Sequence, residues 1–259
     1  MHEINDKEVV QKQYENASNL NTRISIHEKY SVNKQGFGNW IASYYQISDG
    51  MRILELGCGT ADMWKSNLSL LNKCSELVLT DLSKGMIETA RKKIGDLHNV
   101  TYQIVDIQDI PFESNSFDIV IANMMLQHVP DLKKGLSEVK RVLKEDGCFY
   151  CATYGEHGIA QFIADLLKSY GAEDEVNKNF TLQNGKQMLS QYFLSIEMLE
   201  YIDSLEVTNI DDMLDYLYSL TSMTSITKIR RDIIKKVLEQ NMEDGILKVP
   251  KEYGMFICK

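Results

Sequence analysis

Apolar positions along the chain follow two rhythms. Short continuous apolar runs begin at Met51, Leu77, Val100, Phe117 and Gly147, each bounded by glycine, asparagine, aspartate or serine. Runs of this length read as strands buried on both faces. Between them, stretches following Asp62 and spanning residues 84–94 and 133–143 place apolar residues every three or four positions, the signature of helices with one buried face. Strands alternating with helices predict a parallel sheet covered on both sides. The sequence KEDG at 144–147 reads as a turn before the fifth strand. After Thr153 the alternation stops: helical patterns at 159–170 and 182–192 flank an acidic piece, and we expect this insertion, about 156–193, to form a lid. Residues 195–208 alternate loosely as a strand. Helices are expected over 210–220 and 226–240, and the apolar stretches ILKV and GMFICK around Pro250 read as a closing strand pair. Ahead of the first strand, 37–46 carries Phe37, Trp40, Ile41 and Tyr44 at helical spacing, and residues 1–39 read as a polar leader with helical rhythm from Val9 to Ala17.

The first strand turns the pattern into chemistry. It runs into Gly57, Cys58, Gly59 and Thr60, where two alternate glycines permit positive φ and let a ligand lie against bare main chain. The helix that follows would aim free N–H groups at that ligand, at the carboxyl end of a strand where α/β sheets bind nucleotides. A dinucleotide fingerprint needs a third glycine where Asp62 stands, and no phosphate-loop lysine follows. The Asp62 carboxylate suits the helix dipole but repels a diphosphate, so a nucleoside without phosphates is favoured.

E-L-G-C-G-T after a strand resembles motif I of the class I S-adenosylmethionine-dependent methyltransferases, with Ala61 where the last glycine usually stands. The resemblance implies a Rossmann-like α/β fold: a seven-stranded, mostly parallel sheet of order 3-2-1-4-5-7-6, helices on both faces, and a methyltransferase domain over 40–259 beneath the leader. It also implies a cofactor, S-adenosyl-L-methionine, leaving as S-adenosyl-L-homocysteine. Glu55, Gly57, Cys58 and Gly59 would form its cradle. Asp81, ending the second strand about 20 positions on, would accept from the ribose hydroxyls, with Leu82 and Met86 beside it; Asp81 and Ser83 also suit helix capping. Asp106 would accept from the adenine amine while Ile107 packs on the ring, with Asp109 as a nearby competitor, and Asn123 would sit near the transferred methyl. His128 and His157 are the candidate bases. In similar enzymes the leader closes the site, which makes Tyr14, Arg23 and Tyr30 candidates to touch the methionyl end or the acceptor; Arg23 equally suits a surface ion pair.

Composition narrows the partners. The chain has 259 residues, a formal net charge of −9 and a sequence pI near 5.1, which gives no electrostatic footprint for nucleic acid. The basic cluster at Lys228, Arg230, Arg231, Lys235 and Lys236 reads as the solvated face of a helix. Five scattered cysteines form no metal-ligand spacing, and no run is long and apolar enough to span a bilayer. The expectation is a cytoplasmic enzyme that methylates an N, O, S or C atom of a small-molecule acceptor, without metal, nucleic acid or membrane. Two rivals remain: a non-catalytic binder of adenosyl ligands, and an NAD(P)-dependent oxidoreductase.

Overall fold

The structure, a computed structural model, describes residues 18–220 and 223–259; Tyr14 and the rhythm from Val9 to Ala17 lie outside them. Seven strands form one sheet in the order β3-β2-β1-β4-β5-β9-β6: β1 (Arg52–Leu56), β2 (Glu76–Asp81), β3 (Val100–Ile104), β4 (Phe117–Asn123), β5 (Leu143–Tyr154), β6 (Ile196–Tyr201) and β9 (Tyr253–Cys258). The first five are parallel, while β9 runs antiparallel between β5 and β6. This is the order expected, with β9 as the seventh sheet strand. The central strands are apolar without alternation because helices cover both faces: Leu54, Leu56 and Val120 belong to one core, Ile53, Leu77 and Ile121 to the other.

The helices start where capping chemistry puts them. Lys84–Ile94 begins after Ser83, whose hydroxyl accepts from the Met86 N–H at 3.3 Å, and buries Met86, Ile87, Ala90 and Ile94. Leu132–Val142 begins after Asp131, which accepts from the Lys134 N–H at 3.0 Å. Inside that helix, a Cβ on Gly135 would stand 3.4 Å from both Ile107 and Val129, so the glycine lets the helix close on the loop after β3.

Four expectations change. KEDG does not end one element and begin another: residues 143–154 form a continuous strand, and the register jumps from Phe117↔Leu143 to Ile119↔Cys148, so the four residues are an outward bulge within β5. The 195–208 strand is two strands, β6 and β7 (Ser204–Val207), in different sheets. ILKV does not join the main sheet; β8 (Leu247–Pro250) pairs with β7 in a two-stranded ribbon. The 226–240 helix is broken into Thr224–Thr227 and Arg231–Gln240.

The segment expected as a lid is divided. Helix Leu182–Leu189 packs on the main sheet, with Leu182 and Leu189 in the core of Phe149 and Phe256. Helix Ile159–Leu166 joins a third core, which it shares with Ile26 of the leader helix Ser18–Tyr30, helices Ile210–Ser219 and Arg231–Gln240, and the β7–β8 ribbon. This cap stands over the carboxyl ends of the parallel strands. No described helix is long and apolar enough to cross a membrane.

Candidate active site

Four neighbouring strands deliver the expected residues to one edge. Gly57, Gly59 and Ala61 follow β1 with φ of 68°, 54° and 58°. A Cβ on Gly57 would stand 2.9 Å from Met125 Cβ and Cγ, so this position needs glycine for both its torsion and its neighbour. Ala61 adopts the left-handed conformation as the N-cap of helix Asp62–Ser66, where the family pattern has its last glycine. The loop is held from β2: Asp81 Oδ2 accepts from the Gly59 N–H at 3.0 Å, Oδ1 accepts from the Ser83 N–H at 2.8 Å, and Cys58 N–H donates to the Thr80 carbonyl at 2.8 Å. Each Asp81 oxygen keeps lone-pair capacity for a ligand hydroxyl. Burial raises the Asp81 pKa, opposed by those N–H donors.

Glu55, the acid of the sequence motif, is buried at the end of β1. It is 4% exposed and accepts a hydrogen bond from Trp64 Nε1. Burial pushes its pKa up to about 7, opposed by the Trp64 and Asn123 side chains, with the Asp81 charge adding to the rise. Asn123 ends β4 and donates from Nδ2 to the Tyr45 hydroxyl at 2.7 Å, leaving its buried Oδ1 without a partner. The next residue, Met124, carries a positive φ of 54°, a strained backbone turn at the centre of the site. Asp106 Oδ1 accepts from the Gln108 N–H at 2.9 Å and Nε2 at 3.1 Å, while Ile107 is buried beside it. Asp62 pairs with Lys93 and accepts from Thr60 Oγ1, so its repulsion of a diphosphate is weaker than the sequence implied. Cys58 is half-buried, and desolvation of its thiol, with the Glu55 and Asp81 charges adding, pushes its pKa well up.

Glu55, Gly57, Gly59, Asp81, Asp106 and Asn123 line one cavity of about 1210 Å³, together with Leu82, Met86, Arg23 and His128. It continues under the cap past His27, Tyr216, Leu220, Met223 and Tyr253. His128 is held neutral, its pKa lowered to about 4 by burial and then by the Arg23 charge. Two sequence candidates are not part of this lining. His157 is exposed, lies off the cavity wall and contributes only its backbone N–H, to Glu252. Tyr30 also lies off the wall, its hydroxyl donating to Asp212 on the cap at 2.6 Å. Arg23 is on the wall, but its guanidinium bonds the Ser219 carbonyl rather than a surface carboxylate.

The sequence reading passed over His27, Tyr216 and the buried pair Lys251–Asp203. His27 sits edge-on to the rings of Tyr216 and Tyr253, at 5.9 and 5.8 Å, and burial lowers its pKa to about 3. Lys251 and Asp203 have side chains 1% and 0% exposed. They fasten the leader: Lys251 Nζ donates to Ser31 Oγ at 3.0 Å, and Asp203 accepts from Ser31 Oγ at 2.8 Å and from the Asn33 N–H at 2.9 Å. Among the described residues no cluster of His, Cys, Asp and Glu is placed to hold a metal ion.

A mostly parallel sheet with a glycine turn after β1, an acid ending β2 and a second acid after β3 is the arrangement of the doubly wound class, whose sheets place ligand sites at the carboxyl ends of their strands. Residues 54–151 match the family described as "Methyltransferase domain", and the sheet order is that of the class I methyltransferase fold. It is 33% identical over 150 residues to a demethylmenaquinone methyltransferase of Staphylococcus saprophyticus, a match covering 56% of this chain and 62% of that protein. The chain therefore spans less than two thirds of that curated relative. Among solved structures it resembles the [4+2]-cyclase SpnF, with a TM-score of 0.60 at 15% identity over 98% of this chain and 96% of that one. It also resembles a phosphoethanolamine N-methyltransferase 2 of Haemonchus contortus in complex with phosphomonomethylethanolamine and S-adenosylhomocysteine, with a TM-score of 0.51 at 19% identity over 92% of this chain and 52% of that one. These likenesses show the fold.

Proposed function

We propose that the chain is an S-adenosylmethionine-dependent methyltransferase acting on a small molecule. The observation that carries this is the continuity of the cavity. Its 1210 Å³ exceeds the roughly 300–1,000 Å³ of ordinary single-ligand sites, and it runs without interruption from the glycine turn to the cap. One end suits a nucleoside and the other leaves space for an acceptor. A binder without an acceptor would not need the second half, and a diphosphate would lack the third glycine. The named activity of the Staphylococcus relative and the ligand in the Haemonchus structure support the same reading.

The residues fit the adenosyl ligand. The main chain at Gly57 and Gly59, both at positive φ, would take the methionyl portion, and Asp81 would receive the ribose hydroxyls. Asp106 would accept from the adenine amine, with Leu82, Met86 and Ile107 packed around the base. Glu55 and the unpartnered oxygen of Asn123 would face the amino group. S-adenosylmethionine supplies a methyl already activated on a sulfonium. The protein's task is then alignment for in-line displacement and exclusion of water. Arg23, His128 and the cap surround the acceptor end, and His128, neutral at pH 7, is available to take a proton.

Calorimetric titration with S-adenosylmethionine, S-adenosylhomocysteine and NADH, repeated with Asp81→Ala, tests the reading. Micromolar binding of both adenosyl ligands, no heat with NADH and at least a tenfold loss in the variant are expected. Tight NADH binding, or no adenosyl binding, would overturn it.

A further inference from the structure

The cap side of the cavity holds a cation whose bonded partner is a carbonyl. Arg23 directs Nε and Nη2 to the backbone oxygen of Ser219, with Nε at 3.2 Å, and among the described residues no carboxylate pairs with it. A guanidinium carries five N–H donors, so most remain for another acceptor. Its field is felt on both sides: burial and then Arg23 lower the His128 pKa, and burial raises Tyr216 to about 12 against the opposing pull of Arg23.

Three of the other charged side chains lining the cavity are committed, among them Lys34, which donates to the Ser31 carbonyl at 2.7 Å. Lys251 is bonded to Asp203, and the Glu252 carboxylate accepts from the His157 N–H and from Gln183 Nε2 at 2.7 Å. Glu28 is exposed on the leader, and His27 is neutral because burial holds its pKa low. Ile24, Leu220 and Met223 add apolar surface to the same lining. A guanidinium facing such a space favours an anion and disfavours an ammonium ligand. Because Arg23 lines the same cavity as His128, which lies just beyond the end of β4 where the methyl donor would end, the anion it favours is the reacting atom rather than a remote tail.

We propose that Arg23 is an acceptor-binding residue that holds the ionised oxygen of a weakly acidic hydroxyl, phenolic or enolic, on a largely apolar acceptor. This rests on the methyltransferase reading. The hydroxyl loses its proton to water as the acceptor binds. Its oxygen lone pair then forms the new O–C bond while the S–C bond breaks and its electron pair stays on sulfur.

The test uses 4-nitrophenol, whose phenolate is coloured, with 4-nitroanisole and 4-nitrobenzoate as controls, added to protein saturated with S-adenosylhomocysteine. Bound 4-nitrophenol is expected to ionise at least tenfold more readily than free, and 4-nitroanisole to bind at least tenfold more weakly. Arg23→Gln should abolish both differences while S-adenosylhomocysteine affinity stays within twofold, and Arg23→Lys, which keeps the charge, should retain most of the ionisation shift. Absent 4-nitrophenol binding, an unshifted ionisation, a shift surviving in Arg23→Gln, or preference for 4-nitrobenzoate would each overturn the assignment. So would a tenfold loss of S-adenosylhomocysteine in Arg23→Gln, which would give Arg23 to the cofactor. Failure of wild-type protein to bind S-adenosylhomocysteine would instead overturn the methyltransferase reading.

Discussion

Replacing Lys251 by methionine keeps most of the side-chain volume and deletes the cation of a pair that is sealed from water, with exposures of 1% and 0%. Breaking a buried pair from one side costs about 3–5 kcal/mol because the surviving charge is left uncompensated. Here the surviving Asp203 carboxylate keeps donors from Ser31 and Asn33, so the lower end, about 3 kcal/mol, is expected. At about 2–4 °C per kcal/mol for a domain of this size, the melting temperature should fall by about 6–12 °C. Lys251→Met with Asp203→Asn removes the stranded charge and keeps an acceptor for the Asn33 N–H, so it should recover more than half of the loss. In wild type the Asp203 pKa lies below its ordinary value: burial would raise it, but Lys251, Asn33 and Ser31 outweigh that. A depressed carboxylate contributes stability that is present above the unfolded pKa and is lost as pH falls through the folded one. In Lys251→Met that contribution is gone, so the gap between variant and wild type should narrow on acidification. Thermal and urea unfolding across pH measure this. A single variant within 2 °C of wild type, or a double variant no more stable than the single, would refute a net stabilising buried pair at this position.

Glu55 has a folded pKa near 7 against an ordinary value of 4.5. The folded state holds its proton more tightly, so stability should fall as pH rises through that window, by on the order of 3 kcal/mol; Glu55→Gln should flatten this part of the profile, and an unchanged slope would sink the assignment. Gly57→Ala forces a side chain into a left-handed conformation and against Met125, at a cost of about 2–4 kcal/mol; differential scanning fluorimetry should show the loss, with S-adenosylhomocysteine affinity down at least tenfold. His157→Ala, altering an exposed side chain off the cavity wall, should leave that affinity within twofold and stability within about 0.5 kcal/mol. A larger effect would return His157 to the site.

The strands were readable because a strand buried on both faces must be apolar throughout, and Gly57, Gly59, Asp81 and Asp106 were readable because strand ends fix their order and spacing. KEDG misled because a bulge and a turn demand the same residues; only the partner register distinguishes them. ILKV misled for a related reason, since a short apolar strand carries no label for its sheet. His27, Tyr216 and the Lys251–Asp203 pair were hidden by distance: Lys251 meets Ser31 across 220 positions, and no local pattern announces such a meeting. His157 looked right by its place after a strand, but the chain turns its side chain to solvent.

Tyr201 and Tyr253 are direct partners across β6 and β9, so the 51 residues 202–252, holding most of the cap, leave the sheet and return to it at neighbouring points. A segment with such closely spaced ends can lengthen, shorten or be exchanged while the strands beneath keep their register. Acceptor choice can thereby diversify in descent, or be transplanted by design, without rebuilding the nucleoside half. The graft carries one condition: its Asp203 and Lys251 must still meet a serine on the leader, so leader and segment should be inherited, or moved, together.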